Sequence, residues 1–195
     1  MRKGGGPAGK ALRAGGVGAL ALALAACASA PSTIFDLTAA RPPAARPLGT
    51  QIRIGDPVAT LDLDSDRIVV RNGIRLALLP GGRWPQQLSS LFRARLVETF
   101  QNAGLARSLA GGGAAADYEL DLDIRAFELD AATSEAHVDV AARIVALTSG
   151  RVADVQIFDA RVPVASTDVG AVVAALDRAS AIVMTSVVAF VARRL

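Results

Sequence analysis

The chain is poor in the residues that most often do chemistry. Cys27 is its one cysteine in 195 residues, so an intramolecular disulfide is excluded. His137 is its one histidine, which rules out a histidine pair or a Cys/His zinc set. No G-x-S-x-G elbow occurs, and a Ser/His dyad would have to be assembled around His137 without local support. One tryptophan, one tyrosine and 4% aromatics leave little for stacking sugars or bases. Lys3 and Lys10 are the only lysines, and the remaining basic residues are arginine, which with the alanine and glycine excess reads as a GC-rich genome.

A net charge of +3 and a pI near 9.7 invite a nucleic-acid reading, but the charge is unevenly placed. Four basic residues (Arg2, Lys3, Lys10, Arg13) and no acidic ones precede Cys27; without them 17 basic residues face 18 acidic ones, a net charge of −1. Such a domain has no electrostatic footprint for a phosphate backbone, so no nucleic-acid partner is expected.

The basic segment over 2–13 is followed by a short apolar run, Val17 to Ala26, too short to span a bilayer. This is the layout of a secretory signal. Leu24-Ala25-Ala26-Cys27 then matches the bacterial lipobox, in which the cysteine thiol takes a diacylglyceryl group. Cleavage before Cys27 frees an amine for a further acyl chain such as palmitate. Two or three chains anchor stably where one does not. The expected organisation is therefore a signal peptide over 1–26, a lipidated tether over 27–33 and a single domain over 34–195. Alanine rather than aspartate at position 28 favours passage to the periplasmic face of the outer membrane. Gly4 to Lys10 has P-loop spacing, but Ala11 stands where a magnesium-binding hydroxyl is needed and no strand precedes it.

In the mature chain, strand-like runs lie near 34–37, 51–54, 67–71 and 74–79, with a proline-rich connector over 39–49. Asn72-Gly73 is the turn pair of a tight hairpin, both residues tolerating positive φ. A helix is expected from Pro85 to Gly104, with an apolar stripe of Leu88, Leu91, Phe92, Leu96, Phe100 and Ala103. From Tyr118 to Asp130 apolar and acidic residues alternate, with a phase slip that predicts a bulge near Ala126. Strands follow near 135–147 and 152–164, and Asp168 caps a long helix over 169–193. Asp177 and Arg178 interrupt that helix's apolar run, so it reads as a core helix rather than a membrane span. The expected class is α+β: an antiparallel sheet with two main helices on one face, in the order β-β-β-β-α-β-β-β-α.

The sites that resemble chemistry are weak. His137 lies on the polar phase of a strand between Glu135 and Asp139 and reads as solvent-facing. Asp62, Asp64 and Asp66 open like a calcium loop, but Arg67 stands where glycine is required and Gly73 where a bidentate glutamate is. Glu119, Asp121 and Asp123 share a sheet face without an aromatic platform or a cleft. Neither catalytic residues, nor a cofactor, nor a metal is expected. Trp84 reads as a helix-entry plug, with contact to a partner protein as the alternative.

The order of pieces carries a resemblance: a lipobox, a short F-x-L strand, I-x-I-x-x-P-V at Ile52 to Val58, a strand pair, Arg83-Trp84-Pro85 before LSSLFRARLVETF, an Ala/Gly-rich break, three strands and an apolar helix. It resembles the ABC-type transport auxiliary lipoprotein family, which accompanies MCE-domain (mammalian cell entry) lipid transport systems. The resemblance spans about 34–193 and implies a non-enzymatic envelope component. Its partners would be an MCE-domain protein and a separate ABC permease and ATPase, with self-association left open. The alternative is another envelope-assembly or secretion accessory lipoprotein.

Overall fold

A computed structural model describes Gly4 and residues 32–111 and 113–195. Apart from Gly4, the expected signal segment and the lipobox lie outside the described residues. From Ser32 to Leu195 the chain forms one compact unit.

Its elements are β1 (Thr33–Ile34), β2 (Ile52–Ile54), β3 (Val58–Ala59), β4 (Arg67–Asn72), β5 (Arg75–Arg83), α1 (Leu88–Asn102), a 3-10 turn at Ala106–Ser108, β6 (Tyr118–Asp130), β7 (Glu135–Ala146), β8 (Arg151–Pro163) and α2 (Val169–Arg194). The class is α+β as expected. Five strands rather than four precede α1, because Val58–Ala59 forms a short strand of its own.

The sheet is mixed, not antiparallel. β6, β7 and β8 form a long antiparallel meander, and β4 and β5 an antiparallel hairpin. The free edge of β6, however, is lined by β2, β3 and β4 in succession, all parallel to it, with Ile52 opposite Tyr118, Val58 opposite Asp123 and Val69 opposite Glu128. In effect one strand follows β6 in three pieces. The first break is at Gly55, where a Cβ would stand 2.9 Å from Glu119 Oε1 and 3.4 Å from the Leu120 carbonyl. Pro57 then cannot donate to the ladder. The second break is the loop over 60–66. The bulge in β6 falls between Ile124 and Ala126, where the phase slip places it.

The hairpin turn is shifted by one residue from expectation. Asn72 pairs with Arg75 inside the ladder, and the two-residue loop is Gly73-Ile74. Only Gly73 takes positive φ there, at 59°. Glycine as the first loop residue is the type II′ arrangement rather than I′.

α1 begins at Leu88, not at Pro85, which lies in the bend before it. Its first turn has no side-chain cap of its own. The loop over 60–66 supplies one from outside. Asp64 Oδ1 accepts from the Ser89 N–H at 3.1 Å, and the Ser65 carbonyl accepts from the Leu88 N–H at 3.1 Å. The LDLDSD segment is therefore a helix-capping loop, which satisfies donors that would otherwise be orphaned. α2 is capped locally, Asp168 Oδ2 accepting from Gly170 and Ala171.

The apolar stripe expected on α1 is buried along its whole length, as is that of α2. Both join the inward residues of the sheet, among them Leu120, Leu122, Ile124, Val138 and Val140, in one core. α2 is long and apolar enough to cross a membrane, with a mean hydropathy of 1.7, but Val172, Leu176, Val183, Met184, Val187 and Val191 are packed inside the domain. The proline-rich connector is extended, half-exposed and pinned across α1. Thr99 Oγ1 accepts from the Ala40 N–H at 3.0 Å, and the Ala45 N–H donates to the Ala103 carbonyl at 2.9 Å.

Candidate functional surface

With both helices on one face, the opposite face of the sheet is free to carry polar chemistry. β-strand alternation brings Arg71, Glu128, Asp130, Glu135, His137, Asp139, Asp159 and Arg161 onto it from four strands. Glu128 is the most buried of these, 2% exposed, and forms an ion pair with Arg71. That hydrogen bond is the chief reason the Arg71 guanidinium is held above its ordinary pKa, against the opposing effect of burial. The second oxygen of Glu128, Oε2, is buried without a hydrogen-bond partner.

Beside this pair lies His137. It is directly opposite Glu128 on β6 and Arg161 on β8. Its side chain is 14% exposed, so the expected solvent-facing histidine is instead half-buried in a charged network. His137 Nε2 lies 2.5 Å from Asp159 Oδ2. The Arg161 guanidinium stands 3.3 Å from His137 Nδ1 and bridges toward Asp130 at 3.4 Å and Glu135 at 3.7 Å. Burial pushes the Asp130 carboxyl up, but N–H donors from Ala132 and Thr133 together with Arg161 bring it below the usual aspartate range. Long-range strand pairing assembles this network from residues far apart in sequence, which is why only His137 and its two near neighbours were visible beforehand. The signal for Glu128 was present in the phase slip, which returns it to the polar face.

One imidazole and two carboxylates here (His137, Asp139, Asp159) have ligand atoms within 4.8 Å of one another. Such a donor set suits a divalent cation in principle. Arg125, 3.5 Å from Asp139, and Arg161 already bring positive charge to the same carboxylates. The cluster is built as a salt-bridge network.

The other sequence candidates do not converge. Glu119 pairs with Arg53 at the sheet's opposite end, and Asp121 and Asp123 stay on the half-exposed face beside it. Trp84 is 1% exposed and meets Phe127 edge-on, with ring centroids 5.8 Å apart and planes at 83°. It plugs the helix entry and offers no surface to a partner, which corrects the contact alternative. Leu24, Ala25, Ala26 and Cys27 lie outside the described residues. One depression of about 380 Å³ is lined by Ile54, Arg93, Val97 and Gln101 among others, and one of about 170 Å³ by Leu129, Ala131, Ser134 and Val164 with their neighbours.

What these features define is a small α+β domain with a charged sheet face and a helix-packed core. Its relatives carry the same architecture. The model of the ABC-type transport auxiliary lipoprotein component family matches residues 35–188, and the chain belongs to that family. The crystal structure of protein XCC0632 from Xanthomonas campestris, assigned to DUF330, is 30% identical, with a TM-score of 0.75 over 83% of this chain and 96% of that one. A second crystal structure, of an uncharacterized protein, shares the fold at 13% identity, with a TM-score of 0.64 over 84% of this chain and 98% of that one. No curated protein matches the sequence.

Proposed function

We propose that the chain is a non-catalytic lipoprotein anchored through Cys27 in the cell envelope, and that it serves as the auxiliary component of an ABC/MCE-type lipid transport system. The observation that carries this is the family match over 35–188 directly behind a lipobox that holds the chain's one cysteine. In this reading the signal over 1–26 is removed, 27–33 is the lipidated tether, and the protein faces the periplasm from the outer membrane. ATP hydrolysis belongs to a separate ATPase, the permease and MCE-domain protein are further chains, and this domain docks or positions them. The salt-bridged sheet face fits an adaptor better than a site that must exclude water.

One variant and one experiment on the wild-type chain test it. Cys27→Ser is expected to abolish incorporation of labelled fatty acid and to block processing by the lipoprotein peptidase. The wild-type chain, purified from detergent-solubilised envelopes, is expected to bring down a permease, an ATPase and an MCE-domain protein together with phospholipid. Fatty acid still incorporated in the variant would end the anchoring assignment. Recovery of secretion or envelope-assembly proteins in place of a transporter would end the lipid-transport assignment.

A further inference from the structure

One end of the sheet carries an exposed apolar tip. The β4–β5 hairpin ends in Gly73-Ile74, and Ile74 is fully exposed, at 100%. Leu76 and Leu78, next along β5, are also exposed. The Ala131 N–H donates to the Arg71 carbonyl at 2.8 Å, which sets the β6–β7 turn beside the hairpin. The Val164 N–H donates to the Ser134 carbonyl at 2.9 Å, which sets the β8–α2 connection beside that turn. The turn, Ala-Ala-Thr-Ser over 131–134, and the connection, Val-Ala-Ser-Thr over 164–167, carry no charged side chain. The acids at their margins are already engaged, Asp130 and Glu135 with Arg161 and Asp168 with the first turn of α2. Arg75, next to Ile74, is exposed and makes no ion pair among the described residues. The opposite end, by contrast, carries Arg151, Asp154, Arg193 and Arg194.

We infer that this end, led by Ile74, rests on the lipid bilayer, with Ile74 and Leu76 at the level of the acyl–headgroup boundary and Arg75 against lipid phosphate. The inference rests on acylation of Cys27 and adds which way the domain stands on its anchor. β1 runs parallel to β5 with Thr33 opposite Gly82, so the chain enters β1 from the hairpin-tip side. Cys27 precedes Thr33 by six residues, a reach of at most about 20 Å. Ile74 precedes Gly82 by eight residues along β5, a rise of about 26 Å. The tip therefore projects about 6 Å past the farthest point that Cys27 can reach on that side, so a bilayer that holds its acyl chains there meets the tip. An apolar tip beside an unpaired arginine is what such an interface accepts.

The test uses the full acylated protein, purified from envelopes and reconstituted in vesicles of phosphatidylethanolamine and phosphatidylglycerol. Ile74→Cys introduces a thiol at a fully exposed position, so folding is not at stake, and a polarity-sensitive fluorophore is attached there. Ile157→Cys, exposed in the middle of β8, is the control position. Expected is a blue shift at position 74, with quenching by headgroup-nitroxide lipid severalfold stronger than at 157. Equal quenching at both positions, or no response at 74 in vesicles that carry the protein, would overturn the orientation while leaving the anchor intact. A response at 74 only after envelope proteins are added would assign the tip to a protein partner and overturn it too. Wild-type protein that fails to float with the vesicles and reacts with a thiol dye at Cys27 would bring down the acylation reading, and this inference with it.

Discussion

Replacement of Trp84 by alanine is the most direct probe of how the domain holds together. The indole is 1% exposed, wedged between the bend before α1 and Phe127 on β6. A buried tryptophan removes roughly 150–250 Å² from water, which at about 25 cal/mol per Å² is about 4–6 kcal/mol as an upper bound. Partial collapse of the site and a compact unfolded state lower this, while loss of the edge-on contact adds about 0.5–1.5 kcal/mol. Trp84→Ala should therefore cost about 3–5 kcal/mol, a large share of the stability of a domain this size. Urea denaturation of the unacylated mature chain, followed by far-ultraviolet circular dichroism, measures it. Because no other tryptophan contributes, wild-type fluorescence gives an independent check: emission should be blue-shifted and resistant to iodide until the domain unfolds. A cost below about 1 kcal/mol, or red-shifted and readily quenched emission in the folded domain, would refute the packing argument.

Two further substitutions separate neighbouring effects. Arg71→Ala leaves Glu128, 2% exposed and with Oε2 already unpartnered, without its counter-charge, and should cost about 1–3 kcal/mol. Glu128→Gln added to it should recover part of that loss, since a neutral amide is cheaper to bury; equal stability of the single and double variants would show that the pair is fully screened. Asp64→Ala removes the acceptor for the Ser89 N–H and should cost about 1 kcal/mol by thermal melting, without any change on added calcium. A calcium-dependent shift in wild type that vanishes in this variant would restore the metal-loop reading of LDLDSD.

The elements that could be read from the sequence are those whose side chains report their own environment. The alternation of β6 follows from one buried and one half-exposed face, and the slip at Ala126 marks an extra residue that the pairing with β7 has to absorb. The stripes of α1 and α2 follow equally from burial of a single face. The direction of strand pairing has no such signature. Ile52 and Ile54 alternate in the same way whether β2 runs with or against β6, and the choice is made by a path through the β4–β5 hairpin and α1 that returns the chain to the edge it left. The turn was displaced for a related reason: Asn72-Gly73 and Gly73-Ile74 both suit a two-residue loop, and the register of β4 against β5 decides between them.

The charged face was harder to foresee, because charge in a sequence does not say whether water or a partner will neutralise it. Glu128, His137 and Arg161 become neighbours only through the register of three strands, so an isolated histidine among acids read as solvated. Trp84 posed a choice of another kind. Its position before α1 suits either a core plug or an exposed anchor, and what decides is Phe127, 43 positions further along the chain. The residues assigned to the bilayer are not the rare aromatic or the lone histidine. They are Ile74 and Leu76, whose place in a run of apolar residues made them look like an ordinary strand. Their exposure follows from β5 lying at an edge of the sheet where β1 covers only Gly82 and Arg83. An apolar hairpin tip that the fold leaves uncovered is costly in water unless something else covers it. If Cys27 carries the proposed lipid anchor, the nearest cover is the bilayer.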